Sequence, residues 1–233
     1  MRGFAALLVL GAIAAGCGTD STADADIDTD TIVDADTIVD ATVTVRADGC
    51  GPRTQMGTGT SVGEGLVVTA AHVVAGADRV DLVDDRDETT TADVVLFDPA
   101  LDVAALRPVT APGRSVPLRA ERASTGETGV TAIPSDDGSI ELVEIEVVQR
   151  VSILTTDIYR DEQVERPGLR VAVTVEPGDS GAMVHLPGGG VGIIWSRSTE
   201  RPDQAWTVDL PEELSRPELR VGLVDPVDTG PCP

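Results

Sequence analysis

Three short segments of the chain carry side chains that together could break a bond by nucleophilic attack. Ser180 lies in a glycine-rich turn at residues 176–182 (EPGDSGA), between two β-like runs. A serine hydroxyl is a poor nucleophile near neutral pH, so it requires a histidine base and an acid that orients the histidine. His72 follows an apolar run, and Asp102 precedes the apolar residues Val-Ala-Ala-Leu. The sequence therefore offers a nucleophile, a base and an acid in the order His, Asp, Ser.

Each candidate also has a structural explanation, and two of them have a rival. All residue types of a Gly-Asp-Ser-Gly turn favour turns, whatever their chemistry. His185 is the second of the two histidines, but it lies on the same predicted hairpin as Ser180 and is poorly placed to approach it. Asp98 precedes a proline, which favours a turn, and lacks the apolar run that would bury its carboxylate. We therefore predict that Ser180, His72 and Asp102 form the site.

The elements that must position these residues are predicted to be short β-strands. Val and Thr recur in brief runs punctuated by Gly and Pro, and no long stretch has helical periodicity, which favours an all-β architecture. Aromatic residues make up 2% of the chain, so the core must consist of Val, Leu, Ile and Ala. The predicted strands are residues 42–46, 57–62, 66–69, 80–83, 92–97, 103–106, 129–133, 140–148, 151–153, 169–175, 182–185 and 191–195. A proline-rich connector at about residues 108–120 divides them, which predicts two small β-barrels.

The segments around the three candidates resemble the signature segments of a known family. Thr-Ala-Ala-His ending at His72, Asp-Val-Ala-Ala-Leu beginning at Asp102 and Gly-Asp-Ser-Gly around Ser180 are similar to those of the trypsin-like (chymotrypsin-fold) serine endopeptidases. The Asp-Pro-Ala-Leu-Asp setting of Asp102 is closer to bacterial members such as the high-temperature-requirement proteases. The resemblance spans about residues 56–196, and nothing after it resembles the PDZ module that those proteases often carry. It implies two packed six-stranded antiparallel β-barrels, with Ser180 as nucleophile, His72 as general base and then acid, and Asp102 as the orienting acid.

The resemblance also implies roles for the residues of the serine turn. The backbone N–H groups of Gly178 and Ser180 would form the oxyanion hole, because the loop must turn its amides toward the developing charge. Asp179 would be structural, held by an internal partner that keeps the loop in its active conformation. Ala182 replaces a glycine that is common in the family, a change that is tolerated if its φ is negative.

The substrate pocket is inferred from the same resemblance. Thr174 stands where trypsins carry the aspartate that selects Arg or Lys, so a preference for basic residues is not expected. Trp195, Ser196 and Arg197 resemble the strand that lines the substrate cleft. Arg197 replaces a glycine that often leaves the pocket open. Either the pocket accepts only small side chains or Arg197 points to solvent.

Residues 1–17 are typical of an export signal. Arg2 precedes a short apolar stretch and then small residues, and the stretch is too short to be a confident membrane span. Ala-Ala-Gly-Cys ending at Cys17 resembles a bacterial lipobox, whose cysteine becomes the lipidated first residue of the mature protein. An ordinary cleaved signal with an incidental Cys17 is the alternative. We predict an exported protein of the cell envelope, lipid-anchored to a bacterial membrane and facing the periplasm or the exterior.

Residues 18–41 are predicted to be an acidic, disordered tether. The hexapeptide Asp-Thr-Ile-Val-Asp-Ala occurs at residues 30–35 and again at residues 36–41, and self-repelling carboxylates with few apolar groups do not form a core. A calcium site is an alternative, but the glycine turn and terminal glutamate of an EF-hand loop are missing. We place the peptidase domain at residues 42–233, with the first barrel at about 42–107 and the second at about 121–225.

The three cysteines fit an exported protein. If Cys17 is lipidated, Cys50 and Cys232 remain as an even pair in an oxidising compartment. They bracket the folded part almost end to end, and we predict a disulfide between them.

Composition excludes several kinds of partner and cofactor. The formal net charge is −23, whereas nucleic-acid binding requires a basic surface. The sequence has no metal-ligand cluster, phosphate-cradling loop or dinucleotide fingerprint, so we expect no metal and no other cofactor. We predict a serine endopeptidase that hydrolyses protein or peptide substrates through an acyl-enzyme. The alternative is a catalytically silent protease-fold protein that binds a partner or an envelope component.

Overall fold

The computed structural model describes residues 33–135 and 137–233. The predicted export signal, Cys17 and most of the predicted tether lie outside the described residues. None of the helices in this described part is both long enough and apolar enough to cross a membrane.

Six antiparallel strands form the first barrel. They are β1 (Thr42–Asp48), β2 (Gln55–Gly63), β3 (Leu66–Thr69), β4 (Arg79–Val83), β5 (Thr89–Asp98) and β6 (Val103–Pro108). Their spatial order is β1-β2-β3-β6-β5-β4, and the pairing of β4 with β1 closes the barrel. In β1, Val43, Val45 and Ala47 are buried while Arg46 and Asp48 are exposed. This alternation is expected of a strand with one face on a core.

Six further antiparallel strands form the second barrel. They are β7 (Thr128–Pro134), β8 (Ile140–Thr156), β9 (Gln163–Ala172), β10 (Met183–Leu186), β11 (Gly189–Arg197) and β12 (Gln204–Val208). Their order is β10-β11-β12-β9-β8-β7, and the pairing of β7 with β10 closes the barrel. The expectation of two six-stranded barrels is confirmed.

The strand boundaries differ from the prediction most clearly in the second barrel. β8 is one long strand where two were predicted, because a register shift between Val147 and Gln149 keeps both parts paired with β9. β9 begins before the predicted residue 169, and β12 was not predicted at all. The connector between the barrels runs from residue 109 to residue 127, which is longer than predicted.

A short helix, α1 (Ala35–Ala41), corrects the predicted end of the tether. The Asp34 carboxylate caps this helix by accepting the Thr37 backbone N–H at 3.2 Å. Ile38 and Ala41 are fully buried and belong to the same core as Val43. Residues three apart share one helix face, so the second hexapeptide repeat presents enough apolar surface to pack once the barrel supplies the other side.

The C-terminal segment returns to the first barrel. After α3 (Glu212–Ser215) and α4 (Pro217–Arg220), the Leu223 carbonyl accepts the Arg107 Nε–H at 2.9 Å, and the Val227 N–H donates to the Val94 carbonyl at 2.8 Å. The segment ends at a disulfide between Cys50 and Cys232. The predicted disulfide is therefore confirmed.

Candidate active site

The pairing of β3 with β6 brings His72 and Asp102 together. Thr69 at the end of β3 lies opposite Ala104 near the start of β6. His72 follows β3 in a one-turn helix, α2 (Ala71–Val74), and Asp102 precedes β6, so both lie at one edge of the first barrel. The His72 Nδ1 atom is 2.9 Å from Asp102 Oδ2 and 3.0 Å from Oδ1. With Nδ1 held by the carboxylate, Nε2 is left as the nitrogen that can accept a proton.

Asp102 is fixed by its own loop as well as by the histidine. Its side chain is 4% exposed, and its Oδ1 also accepts the His72 backbone N–H at 2.9 Å. The backbone at Asp102 is left-handed, with φ of 65°. The rival Asp98 supports this conformation, because its Oδ1 accepts the backbone N–H groups of Ala100 at 3.0 Å and Leu101 at 2.8 Å. Asp98 thus forms the turn that presents Asp102.

The Ser180 turn belongs to the second barrel but is hydrogen-bonded to the first. The backbone N–H of Thr58 in β2 donates to the Ser180 carbonyl at 2.8 Å. The Thr58 hydroxyl donates to the Gly178 carbonyl at 2.9 Å. On the other side, the Gly181 N–H donates to the Ile194 carbonyl of β11 at 2.7 Å. The serine turn is therefore anchored to both barrels.

Two glycines allow this close approach. A Cβ atom on Gly57 would lie 2.5 Å from Val73 Cγ2 in α2 and 2.9 Å from the Ser180 carbonyl oxygen. A Cβ atom on Gly181 would clash with the Thr58 carbonyl oxygen, and its φ of 93° is left-handed. Sequence reasoning missed Gly57, although a glycine inside a strand often marks a close approach of neighbouring chain.

The amides of the serine turn are available to a ligand. Among hydrogen bonds of the described chain, neither the Gly178 N–H nor the Ser180 N–H donates to another protein atom. Gly178 has φ of 114° with no atom within 4 Å of a built Cβ. The conformation, rather than a lack of space, favours glycine at this position. Ala182 is not among the residues with positive φ, which explains why a side chain is accepted there.

Asp179 holds the turn from inside. It is buried, and its Oδ2 accepts the Glu176 backbone N–H at 2.7 Å. Burial raises the pKa of the Asp179 carboxyl, the hydrogen bond from Glu176 N–H lowers it, and the Glu176 charge raises it again. The internal partner implied by the family resemblance is therefore a backbone amide of the same loop.

His72, Asp102 and Ser180 all lie within a segment that matches a known family. Residues 57–191, more than half of the chain, match the family described as the trypsin-like peptidase domain. The chain belongs to the trypsin-like peptidase family. A curated relative is the serine protease Rv3671c of Mycobacterium tuberculosis, 30% identical over 166 residues, which are 70% of this chain and 41% of that protein. The chain thus spans less than half the length of that relative.

Solved structures of the same and other proteases share the trypsin-like fold. The active form of Rv3671c protease superimposes with a TM-score of 0.74 at 28% identity, covering 84% of this chain and 86% of that one. Its inactive form superimposes with a TM-score of 0.65 at 27% identity, covering 74% of this chain and 84% of that one. A serine endoprotease from Yersinia pestis superimposes with a TM-score of 0.60 at 16% identity, covering 78% of this chain and 65% of that one. This last similarity is one of fold alone.

A pocket of about 210 Å³ adjoins Ser180 in this trypsin-like domain. Its lining residues are Val175, Glu176, Pro177, Ser180, Ile194, Trp195, Ser196 and Arg197. Arg197 is exposed at the edge, so of the two alternatives given above, the one in which it points to solvent fits the structure.

Thr174 does not line this pocket, contrary to the expectation from its spacing. It is exposed, while its neighbours Val173 and Val175 are buried. Glu176 lies at the pocket instead, because residues 173–175 have already left the regular pairing of β9. Thr174 therefore gives no information about which substrate side chain binds in this pocket.

The second histidine is not part of the site. His185 lies in β10 inside the second barrel, fully buried, and neither ring nitrogen has a hydrogen-bond partner among the described residues. Burial lowers the pKa of the His185 imidazole to about 4. Across residues 33–135 and 137–233 there is also no group of His, Cys, Asp and Glu that could hold a metal ion.

Proposed function

We propose that this chain is an exported serine endopeptidase that cleaves peptide bonds of proteins or peptides through an acyl-enzyme on Ser180. The observation that carries the proposal is the buried Asp102 carboxylate bound to His72 Nδ1, together with a serine turn whose Gly178 and Ser180 N–H groups have no acceptor among the described residues. Membership of the trypsin-like peptidase family and the relationship to the serine protease Rv3671c support it.

In the proposed mechanism His72 Nε2 takes the proton from Ser180 Oγ as the oxygen attacks the substrate carbonyl carbon. The negative charge on the carbonyl oxygen is stabilised by the N–H groups of Gly178 and Ser180. Asp102 stabilises the imidazolium, which then protonates the leaving amine. Water attacks the acyl-enzyme in the same way and restores Ser180.

The contact between serine and histidine closes only with substrate in this proposal. Within the described chain, no hydrogen bond joins Ser180 Oγ to His72. Such bonds are often long in structures without substrate and tighten in the complex. The Thr58 hydrogen bonds to the Ser180 and Gly178 carbonyls hold the backbone of the turn against the first barrel.

We also propose export and lipid attachment at Cys17, followed by an acidic tether. The basic residue, the apolar run and the Ala-Ala-Gly-Cys sequence support this reading. The Cys50–Cys232 disulfide supports it independently, because structural disulfides persist in oxidising compartments.

The alternative, a silent protease-fold protein that binds a partner, is not favoured. Binding alone requires neither the contact of Asp102 with His72 nor the Gly178 and Ser180 N–H groups, which have no acceptor in the described chain.

Substitution of Ser180 with alanine tests the proposal. We expect turnover of a diverse peptide library to fall by about four to six orders of magnitude, since the triad acts as a unit. Ser115→Ala is the matched control, because Ser115 is exposed in the connector between the barrels and has no proposed role in binding or bond breaking; it should keep turnover. Equal turnover by wild type and Ser180→Ala would contradict the proposal.

A further inference from the structure

A buried arginine from the second barrel contacts the proposed acid of the first. Arg166 lies in β9, and its side chain is 3% exposed. Its Nε–H donates to the Ala100 carbonyl at 2.8 Å, and its Nη1 is 3.8 Å from Asp102 Oδ2. The guanidinium carbon lies 4.5 Å from the ring centroid of Trp195. Arg166 therefore joins the Asp102 loop to the wall of the substrate pocket.

The hairpin that carries Arg166 docks on the Asp102 loop through its backbone as well. The Ile158 N–H, in the turn between β8 and β9, donates to the Pro99 carbonyl at 3.2 Å. The Arg166 Nη2 atom has no hydrogen-bond partner among the described residues. That nitrogen is left with the electrostatic attraction of the Trp195 face and the nearby carboxylates.

Arg166 places a positive charge beside the buried Asp102 carboxylate. A buried carboxylate is costly unless it is paired, and His72 is neutral in the resting state of the proposed mechanism, so it supplies no charge to Asp102. The guanidinium is the cation next to that carboxylate. Burial lowers the pKa of Arg166, and the carboxylates of Asp102, Asp157 and Asp98 raise it. An arginine remains protonated in proteins, so the positive charge stays in place.

We infer that Arg166 is a positioning residue that pairs with the buried Asp102 carboxylate and keeps it oriented toward His72, an inference that rests on the proposed function. Loss of this positive charge should move the acid limb of the pH–rate profile. Loss of a merely structural arginine would leave that limb in place.

Replacement of Arg166 by methionine tests the inference, with Arg170→Met as the matched control. Arg170 lies on the same strand, bonds Gln149 and lies 6.0 Å from the Trp206 ring centroid, but it makes no contact with Asp102. We expect kcat of Arg166→Met to fall about 10- to 100-fold, because a small misplacement of a catalytic group can lower the rate by about that much. KM should change much less, and the acid limb of the pH–rate profile should move up by roughly one pH unit.

Arg166→Lys separates charge from packing. Lysine keeps the positive charge but loses the planar guanidinium that bonds Ala100 and lies over Trp195. We expect its acid limb to stay where the wild type has it, with a smaller loss of kcat. If the methionine variant fails to fold, as judged by circular dichroism, Arg166→Gln replaces it, because the amide keeps a donor for the Ala100 carbonyl.

Two results would overturn the inference. One is a neutral variant whose kcat and acid limb match those of Arg170→Met. The other is an Arg166→Lys acid limb that moves up as expected for the neutral variant. A wild-type protein without turnover would instead contradict the proposed function, so the two failures are distinguishable.

Discussion

His185 makes the second barrel sensitive to acid, and the size of the effect follows from its burial. The imidazole is fully buried without a hydrogen-bond partner in the described chain, and its pKa is lowered from 6.5 to about 4. Between these values the unfolded chain binds a proton that the folded chain excludes, so stability falls as pH falls. At about 1.4 kcal/mol per pH unit, this group alone removes roughly 3 kcal/mol between pH 6.5 and pH 4.

Replacement of His185 by leucine should abolish that part of the acid sensitivity. The assay is urea unfolding of the wild type and His185→Leu at pH 8 and at pH 4.5, followed by circular dichroism. At pH 8 the imidazole is neutral in both states, so the comparison there reports packing alone. Leucine removes two unpaired polar atoms, and we expect no loss of stability at that pH. Between pH 8 and pH 4.5 the wild type should lose about 2 to 3 kcal/mol more than the variant. An equal loss in both proteins would refute the reasoning.

Three further predictions concern the elements that hold the site. Replacing Cys50 and Cys232 by serine should lower the free energy of unfolding by roughly 4 to 5 kcal/mol, an upper value for a disulfide that closes so long a loop. An unchanged denaturant midpoint would contradict this prediction. Gly57→Ala should lower kcat/KM by about 10- to 100-fold, because the Cβ pushes α2 and the serine turn apart. Gly113→Ala is the control in the same peptide assay and should have no effect, because a Cβ on Gly113 has open space around it. Asp98→Ala should lower the free energy of unfolding by roughly 1 to 3 kcal/mol, because two hydrogen bonds to its carboxylate are lost. Asp98→Asn keeps the acceptor oxygen and should recover most of that stability in thermal unfolding. Equal losses in the two variants would argue against a role of Asp98 in the turn.

Local patterns predicted most strands of the barrels and the residues of the proposed triad. The strands of the first barrel contain short runs rich in Val and Thr, separated by turn residues. The residues that flank His72, Asp102 and Ser180 resemble the signature segments of the trypsin-like peptidases. These signals are contained in single segments, which is why they could be read without the structure.

Contacts between distant segments could not be read in the same way. Ile38 is surrounded by aspartates in the sequence, and only the barrel surface shows that it is buried in α1. Thr174 has the expected spacing from Ser180, but the end of β9 turns it to solvent. Arg166 meets Asp102 because the β8–β9 hairpin docks on the other barrel, and no local pattern specifies that docking.

The central claim is that Ser180 is a nucleophile activated by His72. It is tested most directly by labelling with a fluorophosphonate probe and mapping the modified residue by mass spectrometry. We predict a single adduct on Ser180 in the wild type, none in Ser180→Ala, and labelling slowed by orders of magnitude in His72→Ala. A folded wild-type protein that does not react, or a Ser180→Ala variant that is labelled as fast as the wild type, would contradict the account.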